Sequence, residues 1–228
     1  MMRLLVPLLF GLVGAGILIS LGVWQVQRLA WKEGVLEEIA TKIAAAPAPL
    51  PESPDASVHK YLPVEVTGTF GGGALRVLVS RKKIGAGHLI VTPFETETGR
   101  LILVDRGFLK LDKELQPPPP GQVTVTGNLH WPDDRNSSTP ENDLEGNIWF
   151  ARDIAQMADV FGTEPVLLVA REMSQPDSAM TPLPVDTNGI PNDHLQYAIT
   201  WFSLAAIWLG MTGYLIFRSR KPAQGTDP

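Results

Sequence analysis

Polarity along the chain falls into three regimes. Residues 4–23 are apolar or small without a single charge, residues 195–217 form a second such run, and the stretch between them alternates. Each run reaches the roughly 20 residues that cross a hydrocarbon core of about 30 Å, which predicts two membrane-spanning helices. Beyond the first run Leu29, Trp31, Val35, Leu36, Ile39 and Ile43 recur at helical spacing among charges, so the helix continues outward. APAPLPESPD (46–55) ends it, because proline lacks the amide donor and biases its predecessor away from the helix.

After residue 60 the period changes to two. YLPVEVTGTF, ALRVLVSRKK, GHLIVTPFE, RLILVDRGF, QVTVTGNLH and PVLLVARE each read as a strand bounded by glycine or proline. GGG at 71–73 reads as a hairpin loop and QPPPPGQ at 116–122 as a stiff polyproline connection. ARDIAQMADVFG, after the strand-like NIWF, reads as a short helix. The predicted fold is an α+β membrane protein: two transmembrane helices flanking a small antiparallel β-barrel-like periplasmic domain with one short helix. Its segments are 1–25 for the first span, 26–193 for the outer domain, 194–217 for the second span and 218–228 for a cytoplasmic tail. No internal repeat relates the two spans.

A cleaved signal peptide is the other reading of the first run. The small residues Ala44, Ala45 and Ala46 lie far beyond it, past Arg28, Trp31, Lys32 and Glu33, which favours an uncleaved anchor. Arg218, Arg220 and Lys221 follow the second run directly and Arg3 precedes the first, so both termini are expected on the cytoplasmic side. Arg28 and Lys32 oppose that bias at the first span, and the carboxyl-terminal cluster decides the orientation. The central domain then faces a bacterial periplasm or an equivalent space, and membrane lipid is a partner.

The chain has no cysteine, which removes thiolate nucleophiles, zinc-thiolate sites and iron-sulfur clusters together. A net charge of −5 with no basic block beyond the membrane flank argues against nucleic acid. His59, His88 and His130 form no metal-ligand spacing, and no nucleophile elbow is present, so they read as surface or strand-end residues. TGTFGGGAL precedes a strand rather than a helix, which excludes a phosphate loop. Asn136-Ser137-Ser138 matches a glycosylation sequon only formally.

Chemistry concentrates at the mouth of the second span, in PNDHLQYAITWFSLA. On a helix His194, Ala198, Trp201, Ala205 and Thr212 share one face within about 40°. Ala206, Gly210 and Gly213 form a small-residue ridge beside it, suited to the approach of another helix, and Gly11, Gly14, Ala15 and Gly22 make the first span a fitting partner. Two readings of the histidine stand together. In one it meets lipid headgroups, Trp201 packs the bundle and Asn192 or Asp193 caps the helix. In the other it is a haem ligand: neutral imidazole donates to iron, a neighbouring amide or carboxylate fixes its tautomer, and small residues beside aromatics leave room for a flat macrocycle. Trp24, Gln25 and Arg28 at the outer end of the first span, with Tyr197 on the second, complete the candidate cofactor site, Arg28 as a partner for a propionate.

These pieces together resemble the Surfeit locus (Surf/Shy) family of cytochrome c oxidase assembly factors. Gly22, Trp24, Gln25 and Arg28 match its G-x-W-Q-x-x-R signature, and YLPVEVTGTF, GAGHLIVTPF, LVDRGF and PNDHLQYAITWFSLA match further blocks in order. Asp105 and Phe108 stand where family members often carry Asn and Trp. The resemblance implies a non-enzymatic factor that assists maturation of oxidase subunit I. It implies haem a as cofactor, His194 as its axial ligand, and subunit I and haem A synthase as partners. The alternative is a scaffold that holds a subunit I intermediate and binds no cofactor.

Overall fold

The computed structural model describes residues 2–81 and 84–220, with side chains from 5 to 80 and 84 to 219. The flanking side chains of Arg3 and Arg220, the strand-end lysines Lys82 and Lys83, and Lys221 with the tail from 221 on lie outside what is described. Element order is α1 (Met2–Ile43), β1 (Ala48–Pro49), α2 (Ala56–His59), β2 (Pro63–Phe70), β3 (Leu75–Arg81), β4 (Gly85–Thr96), β5 (Leu101–Lys110), β6 (Gln122–Leu129), β7 (Ile148–Trp149), α3 (Ile154–Phe161), β8 (Leu167–Met173) and α4 (His194–Arg220). The chain divides into two compact units, 1–38 with 188–228, and 39–187.

In the first unit α1 and α4 are long and apolar enough to cross a membrane. Their side chains outside the mutual contact are exposed, among them Leu9, Phe10, Val13, Ile17, Ile199 and Ile207. Apolar residues so exposed on a long helix need a non-aqueous neighbour, which fits a membrane protein.

The second unit is an eight-stranded sheet ordered β1-β2-β6-β8-β5-β4-β3-β7, with an additional pairing of β2 to β4. Strand alternation assigns its apolar residues to two cores. Ile102 and Val104 join Val64, Val66, Phe94, Val123, Val125 and Leu168 in one cluster, whereas Leu103 joins Leu75, Val77, Leu89, Phe108, Trp149 and Met157 in the other. The second of these clusters is covered by α3, which starts at the Asp153 cap (Gln156 N to Oδ1, 3.2 Å) and stops at Gly162 in the left-handed region.

Three expectations are corrected. The sheet is mixed rather than antiparallel, since β5–β8, β1–β2 and β3–β7 are parallel. The polyproline connection leaves β5 and β6 unpaired with each other, and β8 enters between them after the α3 crossover, antiparallel to β6 and parallel to β5. Second, GGG is not a hairpin loop. Phe70 pairs with Phe94 and Leu75 with Val91, so β2 and β3 follow one another along the same edge of β4, and the glycines interrupt one extended run. Gly71 N still donates to Pro93 O at 2.8 Å. Third, the sheet curls without closing into a full barrel: among the described residues its seam is Gly68–Phe70 against Phe94–Thr96, and β1 and β7 are the end strands, Ile148 of β7 bridging outward to Asp143. The single short helix expected here is joined by the one-turn α2.

Candidate functional site

The first unit is built on a heptad-like contact. Pro191 keeps the chain extended, and the carbonyl of Asp193 accepts the Tyr197 N–H at 3.1 Å, which starts α4 at His194. Ala198 and Ala205 on α4 are buried, as are Gly11, Ala15, Gly22 and Gln25 on α1. Spacings of three and four residues on both helices are those of antiparallel partners packed side by side. Small residues make the approach: a Cβ at Gly14 would lie 2.5 Å from Trp208 Nε1, one at Gly22 would lie 2.7 Å from Phe202, and one at Gly11 would overlap Thr212. Gly11, Gly14, Ala15 and Gly22 are thus the face of the first helix that the sequence pattern pointed to.

Polar groups fasten both ends of this contact. Trp208 Nε1 donates to the Gly11 carbonyl at 3.0 Å, and His194 Nδ1 lies 2.8 Å from Gln25 Oε1. Fourteen residues separate the two anchors on each helix, about 21 Å of helix. Gln25 is only 8 % exposed although Trp24 and Val26 beside it are exposed, so its amide has exchanged solvent for the imidazole. An amide oxygen accepts only, so the imidazole donates from Nδ1 and keeps a free lone pair on Nε2. Next to it Asn192 Oδ1 is buried and has no hydrogen-bond partner among the described residues.

The remaining candidates are distributed around this pair. Ala198 is buried against α1 and Trp201 is half-buried below it. Trp24 and Tyr197 are exposed, at 53 % and 54 %. Arg28 is exposed and its guanidinium lies 4.0 Å from the centroid of the Trp31 ring. The ridge expected to receive a helix does not receive α1: a Cβ at Gly210 or Gly213 would meet nothing. The neighbouring face, which carries His194 and Trp208, meets α1 instead.

The second unit carries a cluster that the sequence reading missed. Asp105 on β5 is buried, accepts the Gly107 N–H at 3.0 Å and faces Arg152 at 3.5 Å. Arg152 also donates from Nε to Asp134 at 2.7 Å. Burial pushes the Asp105 carboxyl up to about 6, against the pull of Arg152. Burial likewise pushes His130 down to about 4, helped by the charges of Arg152 and Lys60. For Asp134 burial acts upward, but hydrogen bonds and charge from Arg152 hold it below its ordinary value. His130 directly follows β6, as the strand-end reading has it, and is partly buried; among the described residues its Nδ1 has no hydrogen-bond partner, and its ring lies 5.6 Å from that of Tyr61. Only the position of Asp105 inside the LVDRGF block signalled this cluster in the sequence.

Comparison with known proteins adds a family. A family profile described as the SURF1 family matches residues 12–206. Surfeit locus protein 1 of Homo sapiens is 32% identical over 223 residues, which cover 87% of this chain and 72% of that protein. The SURF1-like protein of Monosiga brevicollis is 34% identical over 218 residues, covering 86% of this chain and 82% of its own, and that of Drosophila melanogaster is 32% identical over 225 residues.

Proposed function

The chain belongs to the SURF1 family, and from that premise we propose that it is a non-enzymatic assembly factor for haem-copper (cytochrome c) oxidase that binds haem a and assists its delivery into subunit I. The observation that carries this reading is the 2.8 Å contact of His194 Nδ1 with Gln25 Oε1. It fixes the tautomer and the ring plane, as the outer partner of a ligating imidazole does, and leaves Nε2 to donate toward iron. The residues present fit a haem held by one protein ligand. His194 is that ligand, Gln25 orients it, and Trp24, Tyr197, Trp201 and Arg28 are the neighbours available to the macrocycle and its propionates. A single neutral nitrogen donor on a partly open helix end suits cargo that must be released.

A specific observation favours the second reading, a scaffold that binds no haem. Ala198 and Ala205, expected to make room for a macrocycle, are filled by packing with α1. In the haem reading His194 would hold the group without room made by Ala198 and Ala205.

The setting we propose is a bacterial inner membrane, with both termini cytoplasmic and the sheet domain periplasmic, and with haem A synthase and subunit I as partners. Complementation tests the function. In a strain lacking this protein, the wild type restores the haem a content of purified oxidase and His194→Ala, present at equal level, does not. Full restoration by His194→Ala would favour the scaffold.

A further inference from the structure

Residues 174–187 cross β5 and are tied to it at three points. Thr181 and Phe108 exchange main-chain hydrogen bonds at 2.8 and 2.9 Å, Met180 is buried against Ile90 and Leu109, and Asp177 pairs with Arg106. Gly107 permits the crossing, with φ at +117° and room for no Cβ, which would lie 2.7 Å from the Thr181 carbonyl oxygen.

The Arg106–Asp177 pair is enclosed, with 0% and 5% of the two side chains exposed, yet it is incomplete. Asp177 takes Nη2, and the Gln116 carbonyl approaches the same nitrogen at 3.4 Å. Among the described residues Nε and Nη1 are buried without a hydrogen-bond partner. A guanidinium presents five donors and ordinarily uses them in charge-assisted, often bidentate, bonds, so this one has unused capacity for an anion. Arg106 lines a cavity of about 420 Å3 whose wall includes Asp177, Met173, Met180 and Pro182. Arg171 and Glu172 also border it, and their charges cancel. The volume lies in the range of small-molecule sites, and the wall sets Ala170, Met173, Met180 and two prolines beside the charged residues.

We propose that this cavity is a binding site for a carboxylate carried on an apolar body, which takes Arg106 as Asp177 gives it up. Asp177 is then the resident carboxylate, and because the free nitrogens of Arg106 are buried, a ligand reaches them when the crossing segment lifts. The site lies beyond the haem reading, and haem content is not its readout.

Calorimetric titration of the full chain in lipid nanodiscs tests it, with 3-phenylpropionate as probe and 3-phenylpropanamide as its uncharged twin. The wild type binds the acid in preference to the amide. Asp177→Asn, which removes the internal competitor, binds the acid at least about tenfold more tightly. Met173→Trp fills the cavity, leaves the ion pair in place and loses the binding. The proposal is overturned if wild type and Asp177→Asn bind neither probe, or bind acid and amide alike, or if Met173→Trp binds as well as wild type. Should Asp177→Asn fail to fold, the comparison of wild type with Met173→Trp decides alone.

Discussion

Asp105 and His130 give the sheet domain opposite responses to pH. Asp105 titrates at about 6 in the folded chain against an ordinary 3.8, so the folded state holds its proton more tightly. Its contribution to stability is complete below 3.8 and is lost as pH rises through about 6. His130 titrates at about 4 against an ordinary 6.5, so its contribution is complete above 6.5 and is lost as pH falls through about 4. Asp105→Asn should therefore gain on the wild type between pH 4 and 7, by roughly 2–3 kcal/mol, in chemical denaturation followed at each pH. His130→Asn should gain in the opposite direction, as pH falls from 7 to 4. A wild-type pH profile that neither substitution alters would contradict the burial argument. Beyond the place of Asp105 in the LVDRGF block none of this was legible in the sequence, because Arg152 and Asp134 reach Asp105 only through tertiary folding. The candidate His194, by contrast, was legible, since it stands at a sharp boundary between a proline-rich segment and an apolar helix.

At the scale of elements, strands and helices followed from period and punctuation, and their neighbours did not. Each long strand from β2 to β6, and β8, is centred on a segment read as a strand, although β4, β5 and β8 overrun theirs by one or two residues. The parallel β5–β8 contact depends on a crossover that no local pattern encodes, and GGG carries a turn signal whether the chain reverses or merely breaks stride. In the helix pair, the contact face was legible on α1 from its glycines; on α4 the ridge of small residues misled, because the contact runs along the adjacent face that carries His194, Ala198, Ala205 and Trp208. Two outcomes follow. Trp208→Phe keeps the packing and should cost about 1 kcal/mol of helix-pair stability by loss of the bond to Gly11. Gly14→Leu should separate the helices, because Trp208 occupies the space its side chain needs. The chain has no cysteine, so Ala15→Cys with Ala205→Cys gives a clean cross-linking readout. Cross-linking that survives Gly14→Leu would contradict the contact.

At the scale of the whole molecule, the two units do different work in the proposed account, one holding cargo and the other adding a sheet domain with its own cavity. Orientation is testable by labelling with a membrane-impermeant maleimide in intact cells. Ser137→Cys, on the sheet domain, should react without lysis, and Ser219→Cys, at the end of α4, only after it. The reverse pattern would contradict the proposed topology. The most direct test of the central claim is the visible absorption spectrum of the purified chain coexpressed with a haem A synthase, wild type beside His194→Ala and Gln25→Leu. The account predicts stoichiometric haem a in the wild type, a weakened and shifted Soret band in Gln25→Leu, and none in His194→Ala. Equal haem in all three, or none in the wild type, would contradict it.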